Sequence, residues 1–496
     1  MSLTQPPLPE TPPFLAWFQA HGGQIDLAAI DIVAFPAAEG GRGVVARVDI
    51  PEGQAVFAVP RALVLSTRTS ALRARFGVKE WAAARLHEGW SGLILCMMWE
   101  EARGGASEWA GYFEILPTKF DTPMFWDAAD LAELQGTAVV DKLGREQAEK
   151  DYAEKVRPAI ESRPDLFDPA EVEARYSLAV YHLQGSRILS RSFTLQKDAD
   201  EDEDEDAGAG DTSVGSAMDV EADAPAPAEE AHGEHDEDEE GSEDSDEEED
   251  AVVVAMVPLA DMLNARYQSE NVKLFYEPEC LKMIATKPIK AGEQIWNTYQ
   301  DLPNSELLRG FGHVDWLPLP GGGHGNPGDV AEMRADVLVK AGAAPADVEA
   351  RIDWWLEEGG DDVFVLELQE DGTAELPEDL LAFTQLLADD TAWARARDKG
   401  RMPKPVASAP ALRVLHAALG ARLGAYATTL AEDTARAAAG MGEMRTNARH
   451  ALVVRMGEKR VLEAHRTRVG ALLSALEGGG KRKAEAQAGG GKRGRR

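Results

Sequence analysis

Between Asp198 and Asp250 the chain carries 27 Asp and Glu and no Lys or Arg. Such a stretch holds too little apolar surface to offset its ordering entropy, and its like charges repel. It is expected to be disordered. Both flanks are well patterned, so it reads as an insertion within a domain and not as a linker between domains. Any fold for this chain must therefore close around a polyanionic insert.

Most of the net charge of −36 lies in that insert, and the rest of the 496 residues is mildly acidic. The end is different: from Lys481 onward there are seven Lys and Arg against one Glu. Two cysteines, Cys96 and Cys280, exclude a disulfide framework and a multi-Cys zinc site. A reducing compartment is expected. No apolar run reaches the roughly 20 residues that cross a bilayer. The N-terminus lacks the cationic start and apolar core of a signal peptide.

Residues 1–13 are Pro-rich and expected to be disordered, with a first helix starting near Phe14. Ile30–Phe35, Gly43–Asp49 and Ala55–Val59 read as short antiparallel strands, separated by Glu39-Gly40-Gly41-Arg42 and Pro51-Glu52-Gly53. From about 70 to 190 the pattern is helical, with Ser91–Ala102 as a core helix and Asp127 opening another. After the insert, Val252–Asn264 opens as a strand and closes as a turn. Val272–Tyr276, Cys280–Thr286 and Gln294–Tyr299 read as three more strands, and Asn304–Phe311 as a short helix. Gly321–Gly328 reads as a flexible break. Beyond it, 331–340, 346–356, 377–388, 410–429 and 440–476 show helical spacing.

Common reaction signatures are missing: there is no GxGxxG after a strand, no Walker A, no H-E-x-x-H and no G-x-S-x-G. The histidines do not cluster at ligand spacing, and no metal site is expected. The informative stretch is Met256–Asp315. Asp261 and Asn264 stand where a hydrophobic strand ends, and polar groups emerging from a buried run must find partners. Asn297-Thr298-Tyr299 ends another strand, and Phe311-Gly312-His313 follows a short helix.

The order G-R-G-V-V-A, S-R-S-F, P-L-A-D-M-L-N, G-E-Q-I-W-N-T-Y and G-F-G-H-V resembles the SET-domain protein lysine methyltransferases. The interrupting insert and the following helical region resemble the Rubisco large-subunit methyltransferase branch. The phrase KPIKAGEQIWNTY with PNSELLR and GHVD is similar to its fungal ribosomal-lysine subgroup and that subgroup's animal relatives. The resemblance implies an α+β fold: a β-rich SET core at 14–316, split by a helical insertion at about 70–190 and by the acidic insert at 198–250. A linker at 317–329, an all-helical substrate-binding domain at 330–478 and a basic tail at 479–496 would follow.

The resemblance also implies S-adenosyl-L-methionine as cofactor and transfer of its methyl group to a lysine of a basic protein, a large-subunit ribosomal protein foremost. Tyr299 matches the catalytic tyrosine. Gly41, Arg42 and Gly43 match a turn whose bare main chain approaches the methionine part of the cofactor. Arg191 would pair with the cofactor carboxylate, and Asn264 would contact its amino-acid end. Asp261 would orient that loop. Ala265 stands where most members have His, and its backbone would hold the cofactor's adenine; Phe311 stands where a second tyrosine is usual, and its ring would wall the channel beside the cofactor's sulfonium. Gln300 stands where relatives often have Gly, a costly exchange if φ is positive. Trp126 and Ser192 are expected on the substrate side, with core packing the competing reading for Trp126. A rival reading is a non-catalytic SET-like module that chaperones ribosomal proteins or histones. The acidic insert is a spacer, an attractor of basic protein or a cover for the basic tail. That tail is expected to direct the chain to the nucleus, and no membrane partner is expected. Direct nucleic-acid contact is expected only through the tail.

Overall fold

A computed structural model describes residues 9–35, 41–196, 252–342 and 345–490, the side chains of 196, 252 and 478–490 excepted. The expectations for residues 1–8, the acidic insert, and the side chains and last six residues of the basic tail lie outside these. The chain divides into two units, 1–120 with 144–301, and 121–143 with 302–496.

The strands of the first unit are β1 (Gln24–Ile25), β2 (Ile30–Ala34), β3 (Arg42–Ala46), β4 (Ala55–Pro60), β5 (Ser192–Gln196), β6 (Val252–Met256), β7 (Val272–Tyr276), β8 (Cys280–Ala285) and β9 (Gln294–Ile295). They form three small sheets, β2-β3-β9, β1-β4-β8-β7 and β5-β6. β2 and β3 pair antiparallel from Ile30↔Ala46 to Ala34↔Arg42. β4 does not join them. The Pro51–Gly53 turn, with Gly53 at φ +81, sends it against β8 instead. In the β5–β6 pair Ser192 faces Met256 and Gln196 faces Val252. Gln196 and Val252, the described residues on either side of 197–251, thus stand opposite each other in one antiparallel pair.

Helix α1 (Thr11–Ala20) begins earlier than Phe14, with Pro12 and Pro13 in its first turn. Proline is tolerated there because no intrahelical N–H is required. Residues 11–13 are therefore helical, contrary to the disorder expected of them. Its apolar side buries Phe14 and Phe18. α2 (Ser91–Ala102) is buried on nearly every side, from Ser91 to Glu100. α3 (Ala110–Phe113) supports α1: a Cβ on Gly111 would stand 2.4 Å from the Trp17 ring. α4 (Leu178–Arg191) runs directly into β5, so Arg191 and Ser192 mark a helix-to-strand junction.

The second unit is mostly helical but not all-helical. The 331–340 run is half strand: β10 (Leu317–Pro318) and β11 (His324–Gly325) pair, and so do β12 (Ala331–Arg334) and β13 (Val363–Leu366). Ala331 and Met333 alternate inward along β12, opposite buried Phe364 and Leu366. A period of two thus wins over helical spacing in that short run. The Gly321–Gly328 stretch holds β11 and the buried Asn326, whose amide donates to the Leu302 carbonyl at 2.8 Å. Two helices were not expected as separate elements, Asp390–Lys399 and Leu430–Gly440. Asp127 caps Ala128–Ala132 by accepting from the N–H groups of Ala129 and Asp130. The last helix, α5 (Thr446–Gly490), buries a charged network. Lys459 donates to Asp433 at 2.6 Å, and Arg455 lies beside the same carboxylate.

Candidate active site

The polar residues at the ends of buried strands meet in one cleft of the first unit. Arg191, Ser192, Phe193, Asp261, Leu263 and Tyr299 line it, with Asn297 and Lys273. β6 leads into it through Leu259, which sits at φ +75 and is fully buried. A non-glycine residue in that region stores strain, which persists where surrounding structure over-determines the backbone. The reversal turns Ala260–Met262 into a single helical turn and points Asp261 inward.

Asp261 is held from two sides. Tyr112 of α3 donates its hydroxyl to Oδ2 at 2.9 Å. Arg191 donates Nη1 to the Asp261 carbonyl at 2.7 Å and lies 3.4 Å from Oδ2. Burial raises the Asp261 carboxyl above its ordinary value, and Arg191 and Tyr112 counter that in part. Asp261 Oδ1 and Arg191 Nε are buried without a hydrogen-bond partner among the described residues. Each unmade bond of this kind costs about 1–3 kcal/mol. A polar, charged ligand would satisfy both.

Tyr299 donates its hydroxyl to the Leu263 carbonyl at 3.3 Å. Burial pushes its phenol up to about 12. It is therefore neutral throughout the physiological range. The strand ending at Ile295 brings it here by a main-chain bond from Asn297 N–H to the Asn264 carbonyl at 2.9 Å, with Ala265 and Asn297 bridged in parallel. After Tyr299 the chain turns through Gln300 at φ +67 and Asp301 at φ +51. The glycine-like backbone expected at Gln300 is thus present without the glycine. Asp301 offsets part of this by accepting from Gln268 N–H at 2.6 Å.

The two glycines beside Arg42 do different things. Gly41 has φ +71 and, among the described residues, nothing within 4 Å of where a Cβ would stand, so its requirement is conformational. Gly43 has no positive φ. A Cβ there would lie 2.6 Å from Gln294 Oε1, 2.7 Å from Asn264 Nδ2 and 2.9 Å from Phe35. A Cβ there would meet this chain's own side chains, so packing within the chain already accounts for the glycine. Asn264 itself donates Nδ2 to Gln294 Oε1 at 2.8 Å.

Two predicted site residues belong to the second unit. Trp126 is 5 % exposed, packed with Leu134, Val139, Leu308, Ala451 and Val454, and donates its indole N–H to the Asp121 carbonyl at 3.1 Å. It is a core residue, which corrects its placement on the substrate side. Phe311 ends the helical turn before Gly312 and is half-buried, edge-on to His313. Ser192 is buried at the start of β5 and lines the cleft. Sequence reasoning missed Tyr112, Gln294 and Leu263. A main-chain carbonyl carries no sequence signal, Tyr112 lies outside the motifs, and Gln294, though inside G-E-Q-I-W-N-T-Y, shows its role only through its contact with Asn264.

Comparison with known proteins finds two families in succession along the chain. The SET domain family matches residues 41–300, and the Rubisco LSMT substrate-binding family matches 329–462. The chain is 30 % identical over 341 residues to Ribosomal lysine N-methyltransferase 4 of Saccharomyces cerevisiae, covering 67 % of this chain and 59 % of that one. It is 26 % identical to N-lysine methyltransferase setd6 of Xenopus tropicalis, covering 90 % and 93 %. The match thus spans about three fifths of the yeast relative. Among solved structures, Rubisco LSMT bound to AdoMet superimposes with a TM-score of 0.62 at 19 % identity, covering 95 % of this chain and 93 % of that one. Its complex with sinefungin and monomethyllysine gives the same TM-score. At that identity the likeness concerns the fold.

Proposed function

Because the chain belongs to the SET domain family, we propose that it is an S-adenosyl-L-methionine-dependent protein-lysine N-methyltransferase acting on a large-subunit ribosomal protein. Tyr299 carries this reading: a half-buried neutral phenol in the same cleft as the unpaired Arg191 Nε and Asp261 Oδ1. When bound, the cofactor supplies an electrophilic methyl group on a sulfonium. Arg191 fits the carboxylate of its amino-acid end by a charge-assisted hydrogen bond. Asn264, Ala265 and the Gly41–Arg42–Gly43 backbone are the remaining proposed contacts.

Tyr299 is the proposed catalytic residue. Its proton is donated to the Leu263 carbonyl, so toward an amine N–H the phenol oxygen can act only as an acceptor. The hydroxyl thus orients the acceptor lysine without acting as its base. Arg191, in the same cleft, disfavours a second cation and so favours the neutral amine that methyl transfer needs. Ser192 and Phe193, lining the same cleft, are the proposed contacts for the incoming lysine chain.

The ribosomal acceptor is supported by the name of the yeast relative. It is also supported by the 27 acidic residues of the insert, whose field attracts Lys- and Arg-rich protein. Nuclear residence belongs to the same proposal and rests on the basic run from Lys481. Labelled methyl transfer to large-subunit ribosomal proteins, wild type against Tyr299→Phe, tests the activity and the acceptor together. A labelled band that fades in the variant is expected. Cofactor binding with no transfer to any basic protein would overturn the enzyme reading in favour of a binding module.

A further inference from the structure

Glu10 is the N-cap residue of α1, yet its side chain makes no capping bond. Its Oε1 instead accepts from Arg42 Nη2 at 2.7 Å. The other arm of the same guanidinium, Nη1, donates to the Ile115 carbonyl beyond α3 at 3.0 Å. Arg42 is the middle residue of the Gly41–Gly43 turn. Its side chain therefore runs away from that turn into two rigid supports. Both supports are well anchored. Trp17 of α1 stacks on Tyr112 of α3 at 6.5 Å and donates its indole N–H to the Glu108 carbonyl at 3.0 Å. Tyr112 in turn holds Asp261.

We propose that Glu10 is a positioning residue for cofactor binding. Together with Arg42 it straps the glycine turn to α1 and keeps its main chain in the binding geometry. The proposal rests on the functional reading above, because that reading makes the turn a cofactor contact. Gly41 is permissive at φ +71, and among the described residues nothing beyond its chain neighbours lies within 4 Å of where a Cβ would stand, so the Glu10–Arg42 tie adds to the main-chain bond there, from Phe35 N–H to the Gly41 carbonyl at 2.7 Å. The ion pair is partly shielded, with side-chain exposures of 22 % for Arg42 and 33 % for Glu10. Such a pair orients more than it stabilises.

Charge and geometry make opposite predictions here. Arg42 lies within electrostatic range of Arg191 and Asp261. If Glu10 acted only through its charge, neutralising it would leave Arg42 uncompensated and tighten binding of an anionic carboxylate. If it acts as a strap, neutralising it loosens the turn and weakens binding.

The test uses the full chain and Glu10→Gln, with Glu10→Asp as the conservative variant. In the cofactor-free protein, hydrogen exchange over residues 41–46 is expected to quicken in Glu10→Gln and to recover in part in Glu10→Asp. Calorimetric titration with S-adenosyl-L-methionine is expected to show roughly fivefold weaker binding, about 1 kcal/mol. The turnover number at saturating cofactor and the melting temperature stay at wild-type values. A purely structural role would lower the melting temperature and leave affinity unchanged. Unchanged exchange at 41–46, or tighter binding, overturns the strap. Absence of cofactor binding by the wild type instead overturns the functional reading, and the exchange result still judges the strap.

Discussion

Replacing Gly43 by Ala adds one methyl group at a crowded point against Asn264 and Gln294. The new Cβ would stand 2.6 Å from Gln294 Oε1, 2.7 Å from Asn264 Nδ2 and 2.9 Å from the Phe35 ring. Such approaches do not occur between relaxed atoms, so all three neighbours must shift. Overpacking of this kind costs about 1–3 kcal/mol. Parting Asn264 from Gln294, now bonded at 2.8 Å, adds about 1 kcal/mol. The expected loss is therefore about 2–4 kcal/mol. For a unit of this size that lowers the melting temperature by roughly 2–4 °C per kcal/mol. The effect on ligand binding should be larger than the loss of stability alone implies, because Asn264 is displaced from its place above the turn. Chemical denaturation and cofactor titration of the same variant measure both. Gly41→Ala is the control: with nothing among the described residues near its Cβ and φ +71 to accommodate, it should cost about 1–2 kcal/mol. A Gly43→Ala protein that melts and binds like wild type would refute the close-approach argument.

Other expectations follow from the same contacts. Tyr299→Phe removes the hydroxyl on the Leu263 carbonyl, and should cut turnover about 10²-fold through misorientation while cofactor affinity stays within roughly twofold. Asp433→Asn leaves Lys459 and Arg455, 1 % and 3 % exposed, without their shared carboxylate. Urea unfolding of the second unit should then show a loss of about 3–5 kcal/mol. Glu458 is buried, with the Tyr426 hydroxyl, the Ala138 N–H and Arg422 around it, and burial pushes its carboxyl up to about 7. A carboxyl raised in the folded state binds its proton more tightly there than in the unfolded chain, so its contribution is lost as pH rises from about 4.5 to 7. Melting curves across that window should fall more steeply for wild type than for Glu458→Gln, and equal slopes would remove Glu458 as the cause.

Long elements with a clear period were legible before any fold was known. Ser91–Ala102 forms as read, since twelve residues of buried helical spacing leave no alternative. The hairpin signal around Gly41 places β2 and β3 in register, and the motif residues Arg191, Asp261 and Tyr299 do converge on one cleft. Short runs were less legible. Ala331–Arg334 carries apolar residues compatible with either period, and pairing with Val363–Leu366 decides for strand. An aromatic next to a motif gives no sign of which way it faces, and Trp126 turned out to be buried.

By itself the sequence determined which residue types stand at strand ends and turns, where the polyanionic insert interrupts the pattern, and hence which motifs are available for chemistry. Those are local properties of composition and spacing. Only the tertiary structure decided what each motif residue touches. Gly43 is glycine because Asn264 and Gln294, more than two hundred residues away in the chain, lie against its Cα. Asp261 tolerates burial because Tyr112 and Arg191 reach it from two different helices. Arg42 faces away from its own turn because Glu10 and the Ile115 carbonyl wait for it. Contacts between distant segments arise from packing, and packing has no signature in a single stretch of sequence.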